Sequence, residues 1–155
     1  MKNAILNYRN AHKNPANRAL HVLGLPLIIF SLAVGAQQIQ VGSYVTVADV
    51  LCVVYVRNYY EHDSSTLLPM ALFFGTVNYL ARWHAPSAIL CLILHALGWA
   101  MQLFGHRYFE GNRPALLTSI EDSVSAAPLL LYYELKETGS HMSRVVCGRS
   151  SSSSR

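Results

Sequence analysis

The chain is short of charge, of cysteine and of clustered basic residues, and each shortage removes a class of protein. Asp, Glu, Lys and Arg make up 13% of the 155 residues, about half the roughly 25% of an average soluble domain. Hydrophobic residues reach 52%, so a water-soluble globule is a poor fit. The cysteines, Cys52, Cys91 and Cys147, include no C-x2-C pair and no even set. That excludes a disulfide framework and a cysteine-built zinc site, and leaves Cys52 and Cys91 as small hydrophobes inside apolar runs. The net charge is +4, but its positive residues are dispersed and not interleaved with aromatics, which argues against nucleic acid as a partner. No short apolar core closed by small residues follows the polar start, so a cleaved signal peptide is excluded.

What remains is a series of apolar segments. Residues 1 to 18 carry Lys2, Arg9, Lys13 and Arg18 with no acid, and Asn14-Pro15 supplies a helix cap followed by proline at the first helical position. Ala19 to Ala36 is then apolar apart from His21 and Ser31, about the length a bilayer requires. After the uncharged linker Gln37 to Ser43, a second segment runs from Tyr44 to about Tyr60, interrupted by Asp49 and Arg57. A polar turn, Glu61 to Ser65, precedes a third segment from Thr66 to Ala81. Arg82-Trp83-His84 connects it to a fourth, Ala85 to Phe104. Helices are the economical reading, because open strands cannot satisfy their backbone in lipid.

Beyond Gly105 the pattern turns amphipathic. Pro114 begins a helix containing Ile120, Glu121 and Asp122, and Ala126 to Tyr133 is apolar but only eight residues long, fit to re-enter or to pack on the bundle. Gly139-Ser140-His141-Met142 and the serines Ser150 to Ser154 read as a tail left by cloning. The predicted architecture is therefore all-α: one membrane-embedded domain, residues 1–137, with about four spans plus amphipathic or re-entrant C-terminal helices. Lys2, Arg9, Lys13, Arg18, Arg107 and Arg113 lie toward the two ends whereas the first linker has no charge, so both termini are predicted to be cytoplasmic. The membrane is the endoplasmic reticulum in a eukaryote or the plasma membrane in a bacterium.

Two polar clusters stand out against this background: Tyr8-x3-His12-x4-Asn17-Arg18-x2-His21, and His95-x3-Trp99-x2-Gln102-x2-His106-x3-Glu110. Imidazoles beside apolar segments are costly to bury unless something pairs with them, and a transition metal pairs with several together. Nitrogen donors suit iron, zinc or copper, whereas magnesium and calcium demand oxygen. The predicted topology puts His12, His21 and His106 on one face. His106 and Glu110 are four apart with Gln102 a turn earlier, one stripe of a helix, which makes Glu110 a ligand or a partner of a ligand. His95 precedes His106 by eleven residues, roughly 16 Å along a straight helix. Either the helix breaks at Gly98 or Gly105, or His95 does something else, such as hydrogen bonding between helices.

Read in order, Tyr8, His12, Asn14-Pro15, Asn17, His21, Gly24 and Pro26, then His95, Gly98-Trp99, Gln102, Gly105-His106, Phe109-Glu110, Pro114-Ala115-Leu116-Leu117, Pro128 and Glu134, resemble the membrane-embedded iron-dependent 2-hydroxy fatty acid dioxygenases typified by the fungal enzyme of phytosphingosine α-oxidation. The resemblance implies Fe(II), molecular oxygen, and conversion of a 2-hydroxy fatty acid into the acid one carbon shorter with release of CO2. It implies His12, His21, His95 and His106 as metal ligands, with Glu110 ordering one of them. Asn17 and Gln102 would hydrogen-bond substrate, oxygen or a ligand, and the acyl chain would lie among membrane lipids between spans. A di-iron hydroxylase or desaturase would need H-x3-H and H-x2-H-H boxes, which are absent. A non-catalytic lipid-binding scaffold is the other reading, and it would hold no stoichiometric metal.

Overall fold

The structure, a computed structural model, describes residues 12–111, 128–129, 131–134 and 136. Tyr8, the helix expected from Pro114 and the tail from residue 138 lie outside the described residues. Asn14 caps α1 (Pro15–Gln37) by accepting from the Ala16 amide at 2.9 Å, with Pro15 at the first helical position, where its missing N–H costs nothing. α2 (Val47–His62) opens on a reciprocal cap: Thr46 N donates to Asp49 Oδ2 at 2.8 Å, and Asp49 N to Thr46 Oγ1 at 3.4 Å. A short 3-10 turn (Ser64–Thr66) leads into α3 (Leu67–Trp83). α4 (Ala88–Gly105), capped by Ser87, continues as a π turn (His106–Glu110) that ends where Gly111 turns left-handed at φ 67°.

The described part is helical, with one isolated bridge, Gln40 to Thr46, in the first connection. Two helical stretches, Pro15–Gln37 and Ala88–Glu110, are long and apolar enough to cross a membrane. α2 and α3, at 16 and 17 residues, are shorter than the roughly 20 of a full span.

Contacts fix the directions of the helices. Asn17 lies opposite Gly105, Gly24 opposite Gly98 and Ser31 opposite His95, so α1 and α4 are antiparallel. Tyr59 stacks near Phe74 while Asp49 pairs with Arg82, which makes α2 and α3 antiparallel as well. Ile29 packs on the Tyr59, Met70 and Phe74 cluster and Gln37 bonds Asn78, so α1 and α3 run the same way. The start of α1, the end of α4 and the α2–α3 turn therefore share one face of the bundle.

Beside the hydrophobic cluster of Tyr59, Met70 and Phe74, the contact between α1 and α4 is rich in small and polar residues. The buried stripe of α1 includes Asn17, His21, Gly24, Ser31 and Gln37, and that of α4 includes Gly98, Gln102 and Gly105. Leu32, Val53, Leu68, Ile89 and Leu92 point outward and are exposed. Small and polar residues inside with aliphatic residues outside is the arrangement lipid favours, where close backbone approach and interhelical hydrogen bonds replace hydrophobic exclusion. At the face away from the histidines, Gln37, Thr46, Asp49, Asn78 and Arg82 form one bonded network across three helices.

On the shared face, Asp63 accepts from the Ser65 amide at 2.9 Å and from the Tyr133 hydroxyl at 2.8 Å. These donors, Ser65 first, hold its carboxyl below the ordinary carboxylate range. A depressed folded value means the contribution is present above the unfolded value and lost as pH falls through the folded one. Asp63→Asn is therefore expected to melt below the parent protein at pH 7, with the gap closing only below about pH 4, as thermal scans in detergent would record.

Candidate metal centre

Three histidines converge where the two ends of the described bundle meet. His12 lies in the segment before α1, His21 on the second turn of α1, and His106 at the first position of the π turn. They are 4%, 6% and 2% exposed, and one ligating atom from each falls within 4.8 Å of the others. The rings stand edge-on to one another, with centroids 4.3, 4.6 and 4.9 Å apart. His12 Nε2 and His21 Nε2 are separated by 3.0 Å.

The donor set fits a transition-metal ion. Two nitrogens bound at about 2.1 Å and at angles of 90–109° stand roughly 3.0–3.4 Å apart. The His21 Nδ1 is 2.9 Å from the Asn17 carbonyl oxygen, and a carbonyl can only accept. Nδ1 therefore carries the proton and Nε2 keeps its lone pair toward the cluster, the orientation a ligating imidazole needs. His106 Nδ1 is buried without a hydrogen-bond partner among the described residues, an open position that a native structure seldom leaves unused.

Local sequence explains the convergence. Glycine at position 105 lets α4 press against α1, since a Cβ there would fall 2.2 Å from Asn17 Oδ1. After it the helix widens into a π turn, a feature concentrated at functional sites. The turn delivers Glu110, whose Oε1 accepts from the Asn14 amide at 2.8 Å and from Asn17 Nδ2 at 3.1 Å. A carboxylate at the start of α1 also meets the positive end of the helix dipole. Glu110 thus clamps the end of α4 to the first turn of α1, between His12 and His21. The histidine cluster itself contains no carboxylate among the described residues.

The remaining sequence candidates divide. Asn17 and Gln102 bracket the cluster, each one turn before a histidine of it. Asn17 Oδ1 and Gln102 Nε2 are buried and lack partners among the described residues, the latter lying against Gly24. His95 is not brought to the cluster. It faces α1 deeper in the bundle, between Ser31 and Trp99. Arg18, next to Asn17, pairs with Glu134 of the C-terminal segment. Neither this ion pair nor the partner of His95 is apparent from the sequence. The Gly24–Gly98 contact was also missed there, although glycines spaced at helical intervals were an available signal.

Fold and site together define a class: an all-helical bundle with an apolar exterior and a buried three-imidazole cluster suited to a transition metal. Within that class the chain belongs to the Mpo1-like family, whose description, 2-hydroxy-palmitic acid dioxygenase Mpo1-like, matches residues 1–138. It is similar to the 2-hydroxy-palmitic acid dioxygenase MPO1 of Saccharomyces cerevisiae, with 27% identity over 133 residues, 82% of this chain and 74% of the yeast protein. No solved structure matches.

Proposed function

We propose that this chain is an iron-dependent dioxygenase of the membrane that converts a 2-hydroxy fatty acid and O2 into the fatty acid one carbon shorter, CO2 and water. The observation that carries the reading is the convergence of His12, His21 and His106, buried and with donor atoms within 4.8 Å, in a chain of this family. These three residues would hold the ion. Ferrous iron bound there supplies the redox chemistry that couples dioxygen to loss of the C1 carbon.

The protein's own contribution is to orient and to exclude. Asn17 sets the tautomer of His21 through its carbonyl, and Glu110 holds the end of α4 against α1. Asn17 Oδ1 and Gln102 Nε2, an acceptor and a donor, are available to the hydroxyl and carboxyl groups of the substrate. Burial of the three rings keeps bulk water from the reacting carbon. The aliphatic outer faces of the helices leave the acyl chain in hydrocarbon while its head reaches the histidine face. In this reading all four helices sit in the bilayer, α2 and α3 as short spans, and both chain ends are cytoplasmic.

Detergent-purified protein reconstituted with Fe(II) without oxygen, then given 2-hydroxypalmitate and air, is expected to yield the C15 acid by mass spectrometry. Formation of the shorter acid without iron, or none with iron bound, would overturn the assignment.

A further inference from the structure

We propose that His95 is a positioning residue and not a metal ligand: its ring, held by Trp99 and bonded to Ser31, sets the register of α1 against α4 that brings His21 opposite His106. The inference rests on the reading of the three-histidine cluster as the metal centre.

The protons of this group can be assigned from the chemistry of its members. An indole N–H only donates, and Trp99 Nε1 lies 3.0 Å from His95 Nε2, so Nε2 is the acceptor. The proton of the neutral ring is then on Nδ1, which stands 2.8 Å from Ser31 Oγ and donates to it. The hydroxyl hydrogen of Ser31 goes to the Ile28 carbonyl at 2.8 Å. Indole, imidazole, hydroxyl and carbonyl thus form one directed chain, and the lone pair that would bind metal is engaged by Trp99. The distance is prohibitive as well. α4 runs unbroken from Ala88 to Gly105, so His95 and His106 are separated by roughly 16 Å, against the ~2 Å reach of a nitrogen ligand.

The bond matters because apolar helix faces in lipid slide past one another with little change in energy, whereas a satisfied polar contact exists in one register only. Ser31 opposite His95, Gly24 opposite Gly98 and Asn17 opposite Gly105 are one alignment. A slip of one turn, about 5.4 Å, would carry His106 away from His21. The chain at His95 lies away from the ion yet decides whether its ligands meet.

The test uses the full-length protein in detergent with 15N-labelled histidine. NMR is expected to show His95 protonated at Nδ1 with or without added Zn(II), while only the rings of His12, His21 and His106 shift on adding zinc. A zinc-induced shift at His95 Nε2, or a proton found there, would overturn the proposal. If no ring responds to zinc, the metal-centre reading fails, and the tautomer of His95 still decides the hydrogen-bond chain. Zinc affinity in variants gives a second readout. His95→Ala is expected to lose about tenfold, the low end of losses on removing groups that support ligands, and His95→Asn, which keeps an N–H toward Ser31, to recover to within about threefold. Failure of His95→Asn to recover while circular dichroism stays unchanged would count against the role.

Discussion

In His106→Ala, bound iron is expected to fall from one per chain to background, and formation of the shortened acid with it, while helical content persists. His106 contributes a buried donor from the π turn after α4 to a cluster otherwise supplied by the start of the chain, so its removal leaves two imidazoles of the proposed site without the third. Loss of a group that merely supports a ligand costs about 10- to 100-fold in metal affinity or activity, and loss of the ligand should exceed that. The control is His84→Ala, an exposed residue beyond the end of α3, for which no change in iron content is expected. Elemental analysis of protein freed of any histidine tag checks both. Full iron occupancy in His106→Ala would remove the basis of the proposed site.

Gly98→Ala is expected to destabilise the bundle by about 1–3 kcal/mol, the usual penalty of overpacking. An added Cβ would lie 2.7 Å from Ile28 Cγ1 and 2.8 Å from the Gly24 carbonyl oxygen. Backbone cannot swing aside as a side-chain tip can, so α1 and α4 would have to separate, drawing Ser31 from His95 and His21 from His106. Gly75→Ala is the matched control. A Cβ added to Gly75 in α3 would meet nothing within 4 Å, and alanine in a helix interior is favoured over glycine by about 0.5–1 kcal/mol. Thermal unfolding in one detergent should therefore move the two variants in opposite directions, and equal behaviour would contradict the close α1–α4 contact.

Much of the helical layout was readable because its signals are local. Asn14-Pro15 marks the start of α1, and each of the four apolar segments overlaps one helix. The bounds moved where capping chemistry overrode hydrophobicity: α2 begins at Val47 instead of Tyr44, because Thr46 and Asp49 cap one another. α4 begins at Ala88 instead of Ala85, because Ser87 caps it after Pro86. The number of spans was less accessible. Apolar length reads the same for a helix that crosses lipid and one that packs beside it, and among the described residues only α1 and α4 with its π turn reach spanning length.

The candidate site was legible in its residue types and less so in its geometry. Spacing alone left His95 with a choice between a helix break and another role, since its partner Ser31 stands 64 residues away in sequence. The helix neither breaks at Gly98 nor folds back at Gly105; it widens after Gly105. That widening also changes what a four-residue interval means, because hydrogen bonds in a π turn run to the fifth residue. Glu110 accordingly reaches Asn14 and Asn17 instead of joining the histidines.

The clamp of Glu110 on Asn14 and Asn17 spans 96 and 93 residues of sequence, and this separation governs how the protein is made. A ribosome releases His12 and His21 early, but the glutamate and the last imidazole emerge only after three intervening helices. Until then the first helix has neither its carboxylate brace nor its third nitrogen donor. In the proposed site the third nitrogen donor is thus the last to be made, and a chain stalled before residue 106 carries His12 and His21 without His106 or Glu110.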